Sequence, residues 1–368
     1  MFAAAHAGGS GDWAELADRC LAELGDVRGA TVGFVYATDV FAQDFDAIVA
    51  HLRSATGVEA WAGTVAIGVV GGAREYFDEP ALAVMTAAIP AGTFRLLPAA
   101  DGDALAPELV RWARDAGPTI TVAHGDGRDR RLPDRLGDLA DLADSFVLGG
   151  LGSSRVALPL AAGAVGRGPL AGVVFTRDVL PAVGITQGCT PLTEGRRRIT
   201  KAEGNVVHTL DDMPALEALQ ADLATLPEEV RIRASRRLHV ALPIVGSDRA
   251  DYLVRNLIGI DPQRGSIAIG EEAEPGRALM FVRRDEAAAA QDLTRMARDA
   301  RRRLGARPRA ALYFTCLARG PNLFGPGSAE LAALRAEIGE VPLAGMFCDG
   351  EISNARLYGY TGVLALFA

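Results

Sequence analysis

The chain has few cysteines, no long apolar run and no large basic cluster, and each shortage excludes a class of protein. Its four cysteines are scattered through 368 residues, which is typical of reduced thiols and not of a disulfide framework. No stretch approaches the roughly 18–20 uninterrupted apolar residues of a membrane-spanning helix. No basic and apolar leader opens the sequence. We therefore expect a soluble cytoplasmic protein without membrane insertion.

Acidic residues also outnumber basic ones, 46 to 38. The formal net charge is −8, and the basic runs at 196–198 and 301–303 are short. Because a nucleic-acid partner requires clustered Lys and Arg, we predict no nucleic-acid binding. Neither Cys nor His has metal-ligand spacing, and the glycine-rich run 149–152 lacks the following helix and acidic residue of a dinucleotide site. We predict no metal and no cofactor, and we interpret the glycines as allowing strands to pack closely.

The most informative feature that is present is an internal repeat. Residues 30–85 and 309–367 look like two copies of one unit. The window 52–84 shares eleven identities with 334–366 at an offset of 282 positions, and 31–38 aligns with 310–317 at an offset of 279. Arg74 matches Arg356 and Tyr76 matches Tyr358, and these matches are harder to attribute to chance than those of Ala or Gly. Self-similarity of this kind reports architecture. We interpret it as a strand–helix–strand–strand duplication that gives two related halves with a cleft between them.

Hydrophobic periodicity predicts an amphipathic helix over Trp13–Leu24 and apolar strands in both copies, including one over 61–70. The segment between the copies shows no repeat, and 125–135 is interpreted as a polar loop beside His124. Strands and helices alternate irregularly. We therefore predict an α/β protein of the mixed α+β kind, with mixed, largely antiparallel sheets flanked by helices.

The two copies diverge where their strands end. In the second copy Cys348, Asp349 and Glu351 replace apolar residues of the first, and Cys316 replaces an alanine. A fully buried, unpaired carboxylate is costly, so Asp349 and Glu351 must be solvated, paired or ligand-facing. We predict a pocket at the strand ends of the second copy. The alternative is a turn whose acids simply face water.

Six motifs occur in the order found in one protein family. They are WAGTVAIG (61–68), LGGLG (148–152), ITQGCTP (185–191), ITKAEGN (199–205), RNLIGIDP (255–262) and FTCLARG (314–320), the last followed by VPLAGMFCDGEI (341–352) and YTGVL (360–364). Over residues 30–368 the chain resembles the FIST-domain proteins. The resemblance implies a FIST N-type domain over 25–210 and a FIST C-type domain over 211–368.

The resemblance also implies a function. FIST domains are sensory modules thought to bind small molecules such as amino acids in signal transduction, and no catalytic mechanism comes with the family. We therefore predict a sensory protein that binds an amino acid or a related small polar metabolite and signals through a protein partner. The alternative of a protein-interaction scaffold stays open.

Residues of the second copy supply the candidate ligand contacts. Arg319 and Asn322 lie on a Gly/Pro loop, and a guanidinium fork binds a carboxylate in two places. Glu351 is a candidate partner for a ligand amine, so the set suits an amino-acid zwitterion. Alternatively, Arg319 and Glu351 pair with each other. Gln187 and Asn205, in the middle motifs, are further candidates, although Asn205 equally suits a turn.

A cysteine-dependent hydrolase or transferase is the enzymatic alternative. Cys316 follows an apolar strand and precedes Arg319, a cation able to lower a thiol pKa. The bland interpretation of Cys316 and Cys348 is that they are small buried hydrophobes. We expect a binding protein more than an enzyme, so Cys316 and Cys348 count first as candidate ligand contacts.

Overall fold

The computed structural model describes residues 1–99, 104–235, 237–244 and 252–368. The chain forms two compact units, the first from residues 1–187 and 290–368 and the second from residues 188–289. Helices and mixed sheets alternate, and most described strand pairs are antiparallel, which confirms the predicted mixed α+β class. Among the described helices, none has the length and apolar character needed to cross a membrane.

The first unit contains three segments with one order of elements. The first segment covers residues 2–87. Its helices are α1 (Trp13–Leu24) and α2 (Phe45–Thr56). Its strands are β1 (Phe2–Gly8), β2 (Val32–Thr38), β3 (Ala60–Ala66), β4 (Gly68–Gly71), β5 (Arg74–Phe77) and β6 (Ala81–Ala87). The Asp12 side chain caps α1 by accepting the N–H of Glu15, and left-handed Gly57 ends α2.

The second segment covers residues 94–176. Its helices are α3 (Pro107–Ala116) and α4 (Leu132–Asp141). Its strands are β7 (Phe94–Leu97), β8 (Thr119–Gly125), β9 (Phe146–Leu151), β10 (Leu160–Ala162), β11 (Ala164–Gly166) and β12 (Leu170–Thr176). This segment has the same order of elements as the first. The internal sequence alignment did not detect it as a further copy.

The third segment begins with β13 (Ala182–Gln187) and resumes after the second unit. The second unit contains strands β14 (Cys189–Pro191), β15 (Arg197–Glu203), β16 (Val206–Leu210), β17 (Met213–Pro214), β18 (Leu238–Pro243), β19 (Tyr252–Asp261), β20 (Ser266–Ile269) and β21 (Ala278–Arg284). Its helices are α5 (Ala215–Ala224) and α6 (Glu228–Ser235). Six of these strands close into a ring in the order β21-β15-β16-β20-β19-β18, because β18 pairs back onto β21.

The rest of the third segment matches the first two. Its helices are α7 (Glu286–Leu304) and α8 (Ala329–Ile338). Its strands are β22 (Ala310–Cys316), β23 (Leu343–Cys348), β24 (Glu351–Ser353), β25 (Arg356–Tyr358) and β26 (Thr361–Phe367). The two copies found by sequence comparison are thus the first and third segments.

Each segment contributes to two sheets, because its hairpin joins the sheet of another segment. The strand orders are β1-β6-β2-β3-β10-β11, β7-β12-β8-β9-β24-β25 and β13-β26-β22-β23-β4-β5. The hairpin β10–β11 therefore completes the first sheet, β24–β25 the second and β4–β5 the third. One strand order occurs three times, and the exchanged hairpins link the segments in a closed cycle.

A glycine permits the parallel pair at the centre of each sheet. Gly63, Gly149 and Gly345 occupy the same register position in β3, β9 and β23. A Cβ atom at any of them would collide with a main-chain carbonyl oxygen of the neighbouring parallel strand. The close approach predicted for the run 149–152 is confirmed at Gly149.

The inward faces of the three sheets meet in one apolar core. Tyr36, His124 and Phe314 occupy equivalent positions in β2, β8 and β22, and their ring centroids lie 5.4–6.1 Å apart. The outward faces pack against helices in separate clusters. Because both faces are covered, the central strands are buried along almost their whole length.

Two local predictions are corrected. The strand expected over 61–70 is two strands, β3 and β4, which join different sheets. The polar loop expected over 125–135 ends earlier than predicted, because helix α4 begins at Leu132. Leu132, Leu136 and Leu139 form one buried face of this helix. His124 is not beside a loop but near the end of buried strand β8.

Candidate functional site

Glu351 differs in chemistry from its equivalents in the other sheets. It stands at the first position of β24, opposite Gly150 of β9. At the matching register positions the other two hairpins carry Val69 and Leu160, which are apolar. The fold therefore accepts an apolar residue here, and the carboxylate is a property of one copy.

Glu351 is fully buried and incompletely hydrogen bonded. Its Oε2 accepts hydrogen bonds from Thr361 Oγ1 at 2.6 Å and from the Thr361 main-chain N–H at 3.2 Å. Its Oε1 has no hydrogen-bond partner. Burial raises the pKa of Glu351 to about 8, against the opposing effects of Thr361 and Arg319.

Arg319 is also fully buried, and it pairs with Glu330 of α8 rather than with Glu351. Its Nε donates to Glu330 Oε1 at 2.7 Å, while Nη1 and Nη2 have no partner. Its guanidinium carbon lies 5.0 Å from the centroid of the Phe324 ring. Burial opposes its charge, but Glu330 outweighs burial and raises the pKa of Arg319.

Glu330 was missed by the sequence analysis. The Tyr313 hydroxyl donates to it at 2.6 Å, the Gly320 N–H at 2.8 Å, and Thr315 Oγ1 to both carboxylate oxygens at 3.1 and 3.2 Å. The available signal was helical spacing, because Glu330 precedes Leu334 by four positions and shares its buried face. A charged residue on the apolar face of a helix indicates a buried partner.

Glu75 was missed as well. Its Oε1 accepts the main-chain N–H of Leu331 at 2.8 Å in the first turn of α8. Burial raises the pKa of Glu75 to about 7; its hydrogen bond with Leu331 opposes the rise, nearby Glu330 adds to it and Arg319 reduces it. Glu75 comes from the hairpin of the first segment, so two segments supply charged groups around Arg319.

Cys316 and Cys348 face each other across the parallel pair β22–β23. Both are buried, and burial raises the pKa of each thiol well above its ordinary value. At Cys316, nearby Glu351 raises the pKa further, while hydrogen bonds from main-chain N–H groups and Arg319 lower it less. Since the thiolate is the nucleophile, this environment disfavours the cysteine-dependent enzyme.

Asn322 and Asp349 lie at the exposed edge of this region. The Asn322 amide donates to the carbonyl oxygen of Leu317 at 2.8 Å, so it supports its own loop. Asp349 is in the turn between β23 and β24, where its main-chain N–H donates to the Leu151 carbonyl oxygen at 3.1 Å. The Asn322 main-chain N–H also donates to the Arg319 carbonyl oxygen at 3.0 Å, but both Asn322 and Asp349 are exposed, whereas Arg319 and Glu351 are buried.

Gln187 and Asn205 come from the middle motifs. Gln187 ends β13, and its main-chain N–H donates to Asp292 Oδ2 at 2.7 Å. Asn205 belongs to the second unit, where it is exposed in the turn between β15 and β16 and its amide donates to the Ile269 carbonyl oxygen at 3.1 Å. This is the turn role that the sequence analysis kept as an alternative.

His124 is a further buried polar group that the sequence analysis did not select. Its Nε2 is hydrogen bonded to the Tyr36 hydroxyl at 3.0 Å, and its Nδ1 has no partner. Burial lowers the pKa of His124 to about 3, so the ring is neutral. It lies in the same row of the second sheet as Glu351, with Gly150 on the strand between them. The sequence signal for its burial was the alternating pattern of the strand, in which His124 follows the apolar Ile120 and Val122 at every second position.

No cluster of three or more His, Cys, Asp or Glu side chains in the described part of the chain is arranged to hold a metal ion.

The comparisons with known proteins agree with the motifs. A FIST N domain matches residues 31–213 and a FIST C domain matches residues 215–354, so the chain belongs to the FIST family of sensory, ligand-binding domains. "Uncharacterized protein Rv0628c" of Mycobacterium tuberculosis (strain ATCC 25618 / H37Rv) is 31% identical over 349 residues, covering 87% of this chain and 86% of that protein. "Uncharacterized protein Mb0898c" of Mycobacterium bovis is 30% identical over 330 residues, covering 83% and 82%.

Proposed function

We propose that this protein is a sensory receptor for an amino acid or a related small polar metabolite, and that it signals through a protein partner. The observation that carries the proposal is that three of the buried side-chain atoms without hydrogen-bond partners, Nη1 and Nη2 of Arg319 and Oε1 of Glu351, belong to one region of the third segment. These atoms belong to the two residues that the sequence selects for a ligand carboxylate and a ligand amine.

Buried polar atoms without partners are rare because each one forfeits its bonds to water. A ligand that supplies those bonds regains the lost free energy, and the protein then binds it selectively. The two Nη atoms of one guanidinium suit the two oxygens of a carboxylate. A carboxylate oxygen suits an ammonium group.

Arg319 can serve both the fold and a ligand, because it uses different atoms for each. Nε and the positive charge hold Glu330, and the fork of Nη1 and Nη2 stays available. A lysine could not hold Glu330 and a ligand carboxylate with separate atoms, since its ammonium is a single point charge.

We propose a FIST N-type domain over 25–210 and a FIST C-type domain over 211–368, an origin of the repeated segments by duplication, and a cytoplasmic location. Supporting a binding role over the Cys316 enzyme is the thiol environment, because a buried, protonated thiol is a poor nucleophile.

Thermal unfolding of the full chain with each of the twenty L-amino acids tests the proposal. A ligand at 100 times its dissociation constant adds about 2.7 kcal/mol to the free energy of unfolding and raises the midpoint temperature. We expect at least one amino acid to do so, and Arg319→Lys to abolish the effect while the variant still folds.

The matched control is Arg298→Lys, which makes the same change at an exposed arginine that binds Glu337 through Nε and Nη2. It should keep the whole ligand response. A full response in Arg319→Lys contradicts the Arg319 contact, and no response of the wild type to any amino acid contradicts an amino-acid ligand.

A further inference from the structure

Two buried carboxylates of the site have opposite surroundings. Glu330 accepts hydrogen bonds from four donor groups, one of them a guanidinium. Glu351 accepts two hydrogen bonds, both from Thr361, and its Oε1 has no partner. Donors and a cation stabilise an ionised carboxylate in the interior, so Glu330 is equipped to be charged and Glu351 is not.

Charge balance sets a further condition. The positive charge of Arg319 and the negative charge of Glu330 compensate each other in direct contact. An ionised Glu351 would therefore add one uncompensated negative charge to a fully buried place. Only a cation that arrives with the ligand, or a proton, removes that charge.

We propose that the ligand carries a net positive charge, as a basic amino acid does, and that its ammonium group replaces a proton on Glu351. The inference rests on the function proposed above and narrows its ligand. The geometric basis is a buried carboxyl whose Oε1 has no hydrogen-bond partner, near the ion pair of Arg319 and Glu330, whose charges cancel.

The exchange balances in atoms and charge. In the empty protein the Glu351 carboxyl holds its proton. When the ligand ammonium enters, the carboxyl O–H bond breaks, the proton passes to solvent, and the carboxylate accepts an N–H of the ligand. One positive charge leaves as another arrives, and nothing is oxidised or reduced. A neutral zwitterion making the same exchange would leave the buried site with one excess negative charge.

The groups around Glu351 agree with a retained proton. The titratable or charged groups that face or influence it are Cys316, Arg319, Glu330, Cys348, its strand partner Tyr358 and, in the same row of the second sheet, the neutral His124. Arg319 is the cation among them, and Glu330 already occupies its Nε. Burial accordingly raises the pKa of Glu351 to about 8.

Calorimetric titration of the full chain with L-lysine and with L-alanine tests the charge requirement. We expect L-lysine to bind more tightly. While Glu351 is protonated, release of one proton makes the dissociation constant fall tenfold per pH unit, or roughly 30-fold between about pH 6 and pH 7.5. Buffers of different ionisation enthalpy should report about one proton released per ligand bound.

Glu351→Gln separates this residue from other groups. It should remove the pH dependence and the proton release. Glu59→Gln, at an exposed carboxylate that pairs with Arg53 away from the site, should keep both. If L-alanine binds as well as L-lysine without releasing a proton, the inference fails while the proposed function stands. If Glu351→Gln keeps the wild-type pH dependence, the inference also fails.

A measurement without ligand tests the retained proton independently. A raised pKa in the folded protein means that folding favours the protonated form, so stability is lost as pH rises from the unfolded value near 4.3 through about 8. The midpoint of thermal unfolding of the wild type should therefore fall relative to that of Glu351→Gln between about pH 6 and pH 8.5. Parallel profiles overturn the inference, even if neither amino acid binds.

Discussion

The first and third segments of the first unit share one strand order but treat buried charge differently. In the first segment the buried carboxylate of Asp39 accepts hydrogen bonds from the N–H, Nε and Nη2 of Arg155, and Arg155 is half exposed. In the third segment Arg319 and Glu351 are fully buried, and each keeps atoms without partners. The same scaffold can thus hold a satisfied ion pair, so the bare atoms of the third segment are not a requirement of the fold.

Removing the arginine of each ion pair should give the largest contrast. Arg319→Met leaves Glu330 charged and buried without its cation, and we expect a loss of about 3–5 kcal/mol in the free energy of unfolding. Arg155→Met exposes Asp39 to nearby water, and we expect about 1 kcal/mol. Urea unfolding of both variants measures the difference. Equal losses would contradict the assignment of Arg319 to a buried structural pair.

Glycine substitutions should give a smaller effect that is equal in the two segments. Gly63→Ala and Gly345→Ala each force a Cβ against a carbonyl oxygen of the neighbouring strand, so each should cost about 3 kcal/mol. Gly137→Ala is the control, since its Cβ would enter open space in helix α4 and should stabilise by about 0.5–1 kcal/mol. A loss at only one of the two strand glycines would show that the segments differ in scaffold as well as in chemistry.

Sequence reasoning predicted the fold class and the local elements that have a strong period. The helix Trp13–Leu24 has the predicted bounds, because its cap and its apolar face are both local signals. The second segment was missed because strand order depends on pairing between distant residues. Leu160 can be matched with Val69 and Glu351 only after the register of three sheets is known.

The site was predicted in part for the same reason. Arg319 and Glu351 stood out because they replace or follow apolar residues of a recognisable copy. Glu330 and Glu75 did not, since no local pattern brings a helix residue and a hairpin residue of another segment to the same guanidinium. The sequence left open whether Arg319 pairs with Glu351; tertiary structure gives it Glu330 instead. Burial raises the pKa of the Cys316 thiol and keeps it protonated, and no pattern in a single sequence measures burial.

A crystal structure of the wild-type protein with the amino acid that stabilises it most tests the central claim directly. We expect a ligand carboxylate within roughly 3.2 Å of Nη1 and Nη2 of Arg319, and a ligand nitrogen within the same distance of Glu351 Oε1. A ligand bound elsewhere, with ordered waters satisfying these three atoms, would contradict it.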